Sequence, residues 1–154
     1  MRENMPLSLE MPVIRPLAMQ DFPDWLPLWD GNNLGSRNEG VTRETWARLL
    51  DPDSPVYGLG AVMDGHMAGI LHYVLHPTTG SIAPVCYMQD VYVDPDFRRR
   101  GVARSMVHAL GQIGRRERWS RLYWLADAKN EAAQNLYKTL GVGLNFTLHV
   151  MPLQ

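Results

Sequence analysis

The chain has 154 residues, one domain's worth, and its 45% hydrophobic and 20% charged residues exclude a disordered or collagen-like protein. No apolar run approaches the roughly 18 residues that span a bilayer, the start Met1-Arg2-Glu3-Asn4 lacks a signal peptide's apolar core, and the single cysteine, Cys86, cannot staple the fold, so the expected address is the cytoplasm. The net charge of −1 hides a split, with 13 acids and 5 bases in residues 1–97 against 10 bases and 3 acids in residues 98–154.

Val13-Ile14-Arg15-Pro16 reads as a short strand, and Pro16 argues for an edge position or an early end. Asp21 offers a cap for a short helix through Trp25, Leu28 and Trp29, confined by Pro23 and Pro27. Residues 30–40 read as a polar loop, and Thr42 opens a second helix over 43–50 that Asp51-Pro52 ends. The rhythm then changes to period 2. Residues 56–63 form a strand, Asp64-Gly65 a hairpin turn, residues 66–76 the returning strand, and residues 85–93 a third strand after a turn at 77–80.

After Pro95 the period becomes helical, because Val102, Met106, Val107, Leu110 and Ile113 share one stripe. Residues 121–126 read as a buried strand, 130–140 as an amphipathic helix ending at Gly141, and 146–151 as a closing strand. The order β-α-α-β-β-β-α-β-α-β is an α/β domain with a mixed sheet, in which an antiparallel meander feeds a strand–helix–strand crossover.

The join between the third meander strand and the long helix carries the chemistry. Gly101 lets backbone N–H groups converge, and the helix start at Val102 and Ala103 offers unpaired donors with a positive dipole, a natural seat for phosphate. Arg98, Arg99, Arg100 and Arg104 add attraction for a polyanion. The same residues also suit an ordinary turn with a solvated basic patch.

Two motifs together resemble the GCN5-related N-acetyltransferase (GNAT) superfamily. Arg98-Arg99-Arg100-Gly101-Val102-Ala103, after Val93-Asp94-Pro95, is similar to its acetyl-CoA loop, and Asn130, Ala133, Tyr137 and Gly141 match its second signature. The resemblance implies a GNAT fold whose central strands splay around the pantetheine arm of acetyl-CoA. It implies that the backbones of Val91 and Val93 pair with that arm and that the N–H groups from Arg99 to Ala103 hold the pyrophosphate. The Val91 N–H would polarise the thioester carbonyl, and Asn130 would touch the pantetheine. Tyr137 would be the general acid for the leaving thiolate.

An alkyl amine, with a pKa near ~10.4, must lose a proton before it attacks. The strand Cys86-Tyr87-Met88-Gln89-Asp90-Val91-Tyr92-Val93 is similar to that of the diamine (spermidine/spermine) acetyltransferases, which have Glu where this chain has Gln89. Gln cannot accept the proton, which leaves Asp90 as substrate anchor, base through water, or partner of a nearby turn. Tyr123-Trp124 matches a pair in a related bacterial group, similar to fungal histone and polyamine acetyltransferases. His72 or His76 could reach the cleft as a proton relay. With Asp30 and Glu39 in the loop expected to cover the acceptor, and with the acidic first half, a cationic acceptor is expected, a polyamine or lysine-like amine. The loop lacks the aromatic pair of the polyamine-type relatives.

Three alternatives stand beside this: a protein N-terminus as acceptor, an antibiotic amine, or a non-catalytic CoA-binding or nucleic-acid module. A metal site, a membrane partner and nucleic acid are not expected, and a homodimer is left open.

Overall fold

The computed structural model describes residues 11–154, and the start Met1-Arg2-Glu3-Asn4 lies outside them. Strand β1 (Val13–Pro16) sits at the sheet edge and pairs antiparallel with β2 (Val56–Met63). Strands β3 (His66–Thr78) and β4 (Ser81–Val93) extend the meander antiparallel, and β5 (Arg121–Tyr123) joins β4 in parallel. Four helices accompany the sheet: α1 (Phe22–Asn32), α2 (Glu39–Leu50), α3 (Val102–Glu117) and α4 (Glu131–Leu140). Asp64 and Gly65 both have positive φ, 53° and 74°, the geometry that closes a two-residue hairpin. None of the helices is long and apolar enough to cross a membrane, among the described residues.

Two cores follow from the strand period. Leu71 and Met88 face Met106 and Leu110 of α3, while Ile70, one residue away, joins Trp25, Leu28 and Trp29 of α1 on the opposite face. The stripe read from Val102 to Ile113 is the buried face of α3.

Several boundaries differ from the sequence reading. Helix α1 runs through Pro27 to Asn32, so residues 30–32 are helical rather than loop. A proline inside a helix costs about 3 kcal/mol. Trp25, Leu28 and Trp29 are all buried, and at about 2 kcal/mol for each large side chain their burial offsets that cost. Helix α2 starts at Glu39, because Asn38 and not Thr42 is the cap; its side chain accepts from the Val41 N–H. Thr42 is buried and accepts from the Trp29 indole at 3.0 Å.

Strand β5 ends at Tyr123 instead of residue 126, and residues 146–151 form no strand. Their alternation is real, but Phe146 and Val150 are 85% and 75% exposed, and no neighbouring strand pairs with them among the described residues. A strand without a partner leaves its ladder groups to water.

Candidate active site

The site begins where two strands part. β5 pairs with β4 only at Val85, Cys86 and Tyr87, opposite Arg121, Leu122 and Tyr123. β4 then runs on to Val93, so its edge beyond Tyr87 has no strand neighbour on that side among the described residues. Val91 and Val93 lie on this stretch, held from the other side by Leu71 and Gly69 of β3.

At the far end stands the start of α3. Gly101 caps it with φ 76° and ψ 16° and no side-chain cap. This left-handed backbone, rather than lack of space, is what requires glycine there. The first-turn N–H groups of Val102, Ala103 and Arg104 have no intrahelical acceptor. The four arginines are not equivalent. Arg98 folds back, donating from Nε to the Val93 carbonyl at 3.2 Å and lying over the Tyr92 ring. Arg100 pairs with Asp64 at 3.1 Å. Arg99, itself left-handed at φ 62°, and Arg104 have no ion-pair partner among the described residues. A left-handed turn, open helix donors and two unpaired cations fit a phosphate-bearing ligand.

Gln89 is the extra residue of a β-bulge. The register passes from His72 opposite Asp90 to Tyr73 opposite Met88, and Gln89 has no partner. The bulge shifts the alternation of β4 by one. Without it Asp90 would follow Met88 onto the apolar α3 face; with it Asp90 meets His72 on the α1 face. His72 is 3% exposed, and its Nδ1 lies 3.0 Å from Asp90 Oδ2. The Trp25 indole donates to His72 Nε2 at 3.0 Å, and Asn32 Nδ2 donates to Asp90 Oδ1 at 3.1 Å. Gly31 makes this approach possible, since a Cβ there would overlap the Tyr92 phenol.

Asp30 and Glu39 both pair with Arg37. The guanidinium hydrogen bonds hold the Asp30 carboxyl below its ordinary range. Beside them a pocket of about 390 Å³ opens between α1 and α2, lined by Trp29, Asn32, Ser36, Asn38 and Thr42 among others.

Tyr137, on α4, packs against Trp124 at 5.4 Å between ring centroids, and burial pushes its hydroxyl pKa up. Asn130 caps the same helix, its Oδ1 accepting from the Ala133 N–H at 3.1 Å. On the other face Tyr87 stacks on Tyr123, whose hydroxyl lies 2.8 Å from His76 Nε2. Burial first, then the Asp90 charge and Tyr123, raise the Tyr87 hydroxyl. Burial pushes the Cys86 thiol to about 12, which suits a packed, inert side chain. Among the described residues no group of three or more His, Cys, Asp or Glu is placed to hold a metal ion.

Of the site residues read from sequence, β4 therefore carries Gln89, Asp90, Val91 and Val93, and the α3 start carries Arg98 to Arg104. α4 and its cap supply Asn130 and Tyr137. Sequence reading missed Asn32 and Trp25, which are 58 and 65 residues from Asp90 along the chain. The only signal for them was their helical spacing with Trp29.

The sequence model of the acetyltransferase (GNAT) family matches residues 15–142. A D-amino-acid N-acetyltransferase of Saccharomyces cerevisiae is 29% identical over 130 residues, which cover 81% of each chain. A thialysine N-epsilon-acetyltransferase of Caenorhabditis elegans is 33% identical over 86 residues, covering 55% of this chain and 52% of that protein. Among solved structures, AAC(6')-Iy in complex with the bisubstrate analog CoA-S-monomethyl-acetylneamine superposes with a TM-score of 0.80 at 18% identity, over 94% of this chain and 99% of that one.

Proposed function

The chain belongs to the acetyltransferase (GNAT) family and is an N-acetyltransferase, and from that premise we propose a cationic acceptor, a polyamine or lysine-like amine, acetylated by direct attack in a ternary complex. The observation that carries this reading is the gap beyond Tyr87 and Tyr123, with unpaired helix donors at one end and Asp90 on the strand that lines it.

Acetyl-CoA supplies the activated acetyl thioester. The N–H groups from Arg99 to Ala103 receive the pyrophosphate, and Arg99 and Arg104 add charge that no acid in the described chain neutralises. Arg98 already donates to the Val93 carbonyl, whose second lone pair stays available to the pantetheine arm. Asn130 has spent Oδ1 on its helix and offers its amide N–H groups. The Val91 N–H polarises the thioester carbonyl.

Tyr137 donates a proton to the departing thiolate. An ordinary phenol is already protonated at neutral pH, and burial, which raises the pKa further, leaves Tyr137 in the state a donor needs. Gln89, exposed at the bulge, offers hydrogen bonds and no base. Asp90 faces the acceptor side; the attacking amine gives its proton to solvent water, and its nitrogen then bonds the acetyl carbon as the C–S bond breaks.

The thialysine relative supports the lysine-like class, and the D-amino-acid relative supports a small amine more broadly. A competition assay among a diamine, a peptide N-terminus and an aminoglycoside, each at equal concentration with limiting acetyl-CoA, tests the acceptor. Acetylated diamine as the main product supports the proposal; peptide or aminoglycoside as the main product replaces it.

A further inference from the structure

We infer that Trp25, His72 and Asn32 form a cage that presents Asp90 as a fixed, uncompensated anion for the acceptor's ammonium, with His72 as a positioning residue and not a proton carrier. The inference rests on the acetyl-transfer reading and assigns Asp90 one role within it.

The argument starts from an indole. A Trp Nε1–H can only donate. It points at His72 Nε2 from 3.0 Å, so that nitrogen is the acceptor and carries no proton. The ring proton then sits on Nδ1, which donates to Asp90 Oδ2 across 3.0 Å. Asn32 holds the other oxygen, Oδ1, at 3.1 Å. Each carboxylate oxygen thus has one donor and keeps acceptor capacity, and the side chain remains 21% exposed.

Neither donor brings a positive charge, in contrast to the partners of Asp21, Asp30 and Glu39. Asp21 is paired with Arg15, and Asp30 and Glu39 with Arg37. No Lys or Arg lies in ion-pair range of Asp90 among the described residues. A carboxylate so far withdrawn from water needs a counter-charge, and an ammonium on the acceptor supplies one.

The same geometry closes the inward proton route. A proton reaching Asp90 cannot pass to Nδ1, which already holds one. Nε2 cannot release one onward, because it faces the indole within a cluster where Trp25 is 0% and His72 3% exposed. Asp90 binds; His72 holds it in place.

The test uses the full chain and measures KM and kcat for a diamine and for a monoamine of equal length. His72→Asn can still donate from near the Nδ1 position, whereas His72→Leu cannot. Losing one hydrogen bond to a charged group corresponds to about tenfold. The diamine KM should therefore rise by about tenfold in His72→Leu, stay near wild type in His72→Asn, and change less for the monoamine, with kcat held within a few-fold. A merely structural role, with His72 serving only as acceptor for the buried Trp25 indole, predicts instead that diamine and monoamine KM rise together, in step with the loss of melting temperature.

Asn32→Ala lies nearer the surface and carries the test if His72→Leu does not fold; it should raise the diamine KM several-fold. An active enzyme whose KM is unmoved in His72→Leu or, failing that, in Asn32→Ala overturns the cage alone. So does a fall in kcat at constant KM. Wild-type protein that releases no thiol from acetyl-CoA with any amine overturns the acetyl-transfer reading, and the cage with it.

Discussion

Arg37 holds both oxygens of Asp30, from Nε at 3.0 Å and from Nη2 at 2.5 Å, and reaches Glu39 from Nη1 at 3.3 Å. The two acids expected to draw a cation to the α1–α2 connection thus share one arginine, which offsets one of their two charges. Arg37→Ala should unmask both. The KM for a diamine should then fall at low salt and return toward wild type as salt screens the new charges. Asp30→Asn should change the diamine KM far less than Asp90→Asn. A diamine KM as sensitive to Asp30 as to Asp90 would put the cation at the end of α1.

Gly101 sits at φ 76°, where a side chain strains the backbone whatever the space around it. In wild type, acetyl-CoA should raise the melting temperature, as a ligand of the native state does. Gly101→Val should keep the fold and lose most of that shift. Equal shifts in the two proteins would move the phosphate site elsewhere.

Tyr137→Phe keeps the ring against Trp124 and removes only the hydroxyl. Loss of a general acid costs on the order of 10² to 10⁴ in rate. Turnover should fall on that scale while acetyl-CoA binding, read by thermal shift, stays within a few-fold. Unchanged turnover would leave Tyr137 as a packing residue.

Most of the meander and the long helix were legible in the chain. The stripe from Val102 to Ile113 has one period and one buried face, and Asp64-Gly65 supplies the two left-handed residues its turn requires. The bulge at Gln89 was not legible, because alternation alone carries no register and a single extra residue leaves no trace in composition. That bulge decides which face Asp90 joins. The helical course of residues 30–32 was hidden by Pro27 and Gly31, whose local preferences yield to the Trp25 and Trp29 cluster and to the close approach of Tyr92. Residues 146–151 failed for the opposite reason: their pattern is that of a strand, and the sheet offers them no partner.

Asp21 is 4% exposed and bonded to Arg15 at 2.7 and 2.8 Å, and these bonds lower its pKa. The folded state then binds fewer protons than the unfolded one. The pair's stabilisation is complete above the unfolded carboxylate value near ~3.9 and disappears as pH falls through the lower folded value. Arg15 is 41% exposed, so screening keeps the contribution to about 1 kcal/mol. Melts of wild type and Asp21→Asn should differ at neutral pH and converge as pH drops below that range. A difference that persists undiminished in acid would assign the loss to packing.

Acetyl transfer itself is measured by thiol release from acetyl-CoA over a panel of amines, with the products weighed by mass spectrometry. The expected result is amine-dependent thiol release, strongest with a diamine at low salt, and a product heavier by one acetyl group. Thiol release that is the same with and without amine, and no acetylated product from any of them, would contradict it.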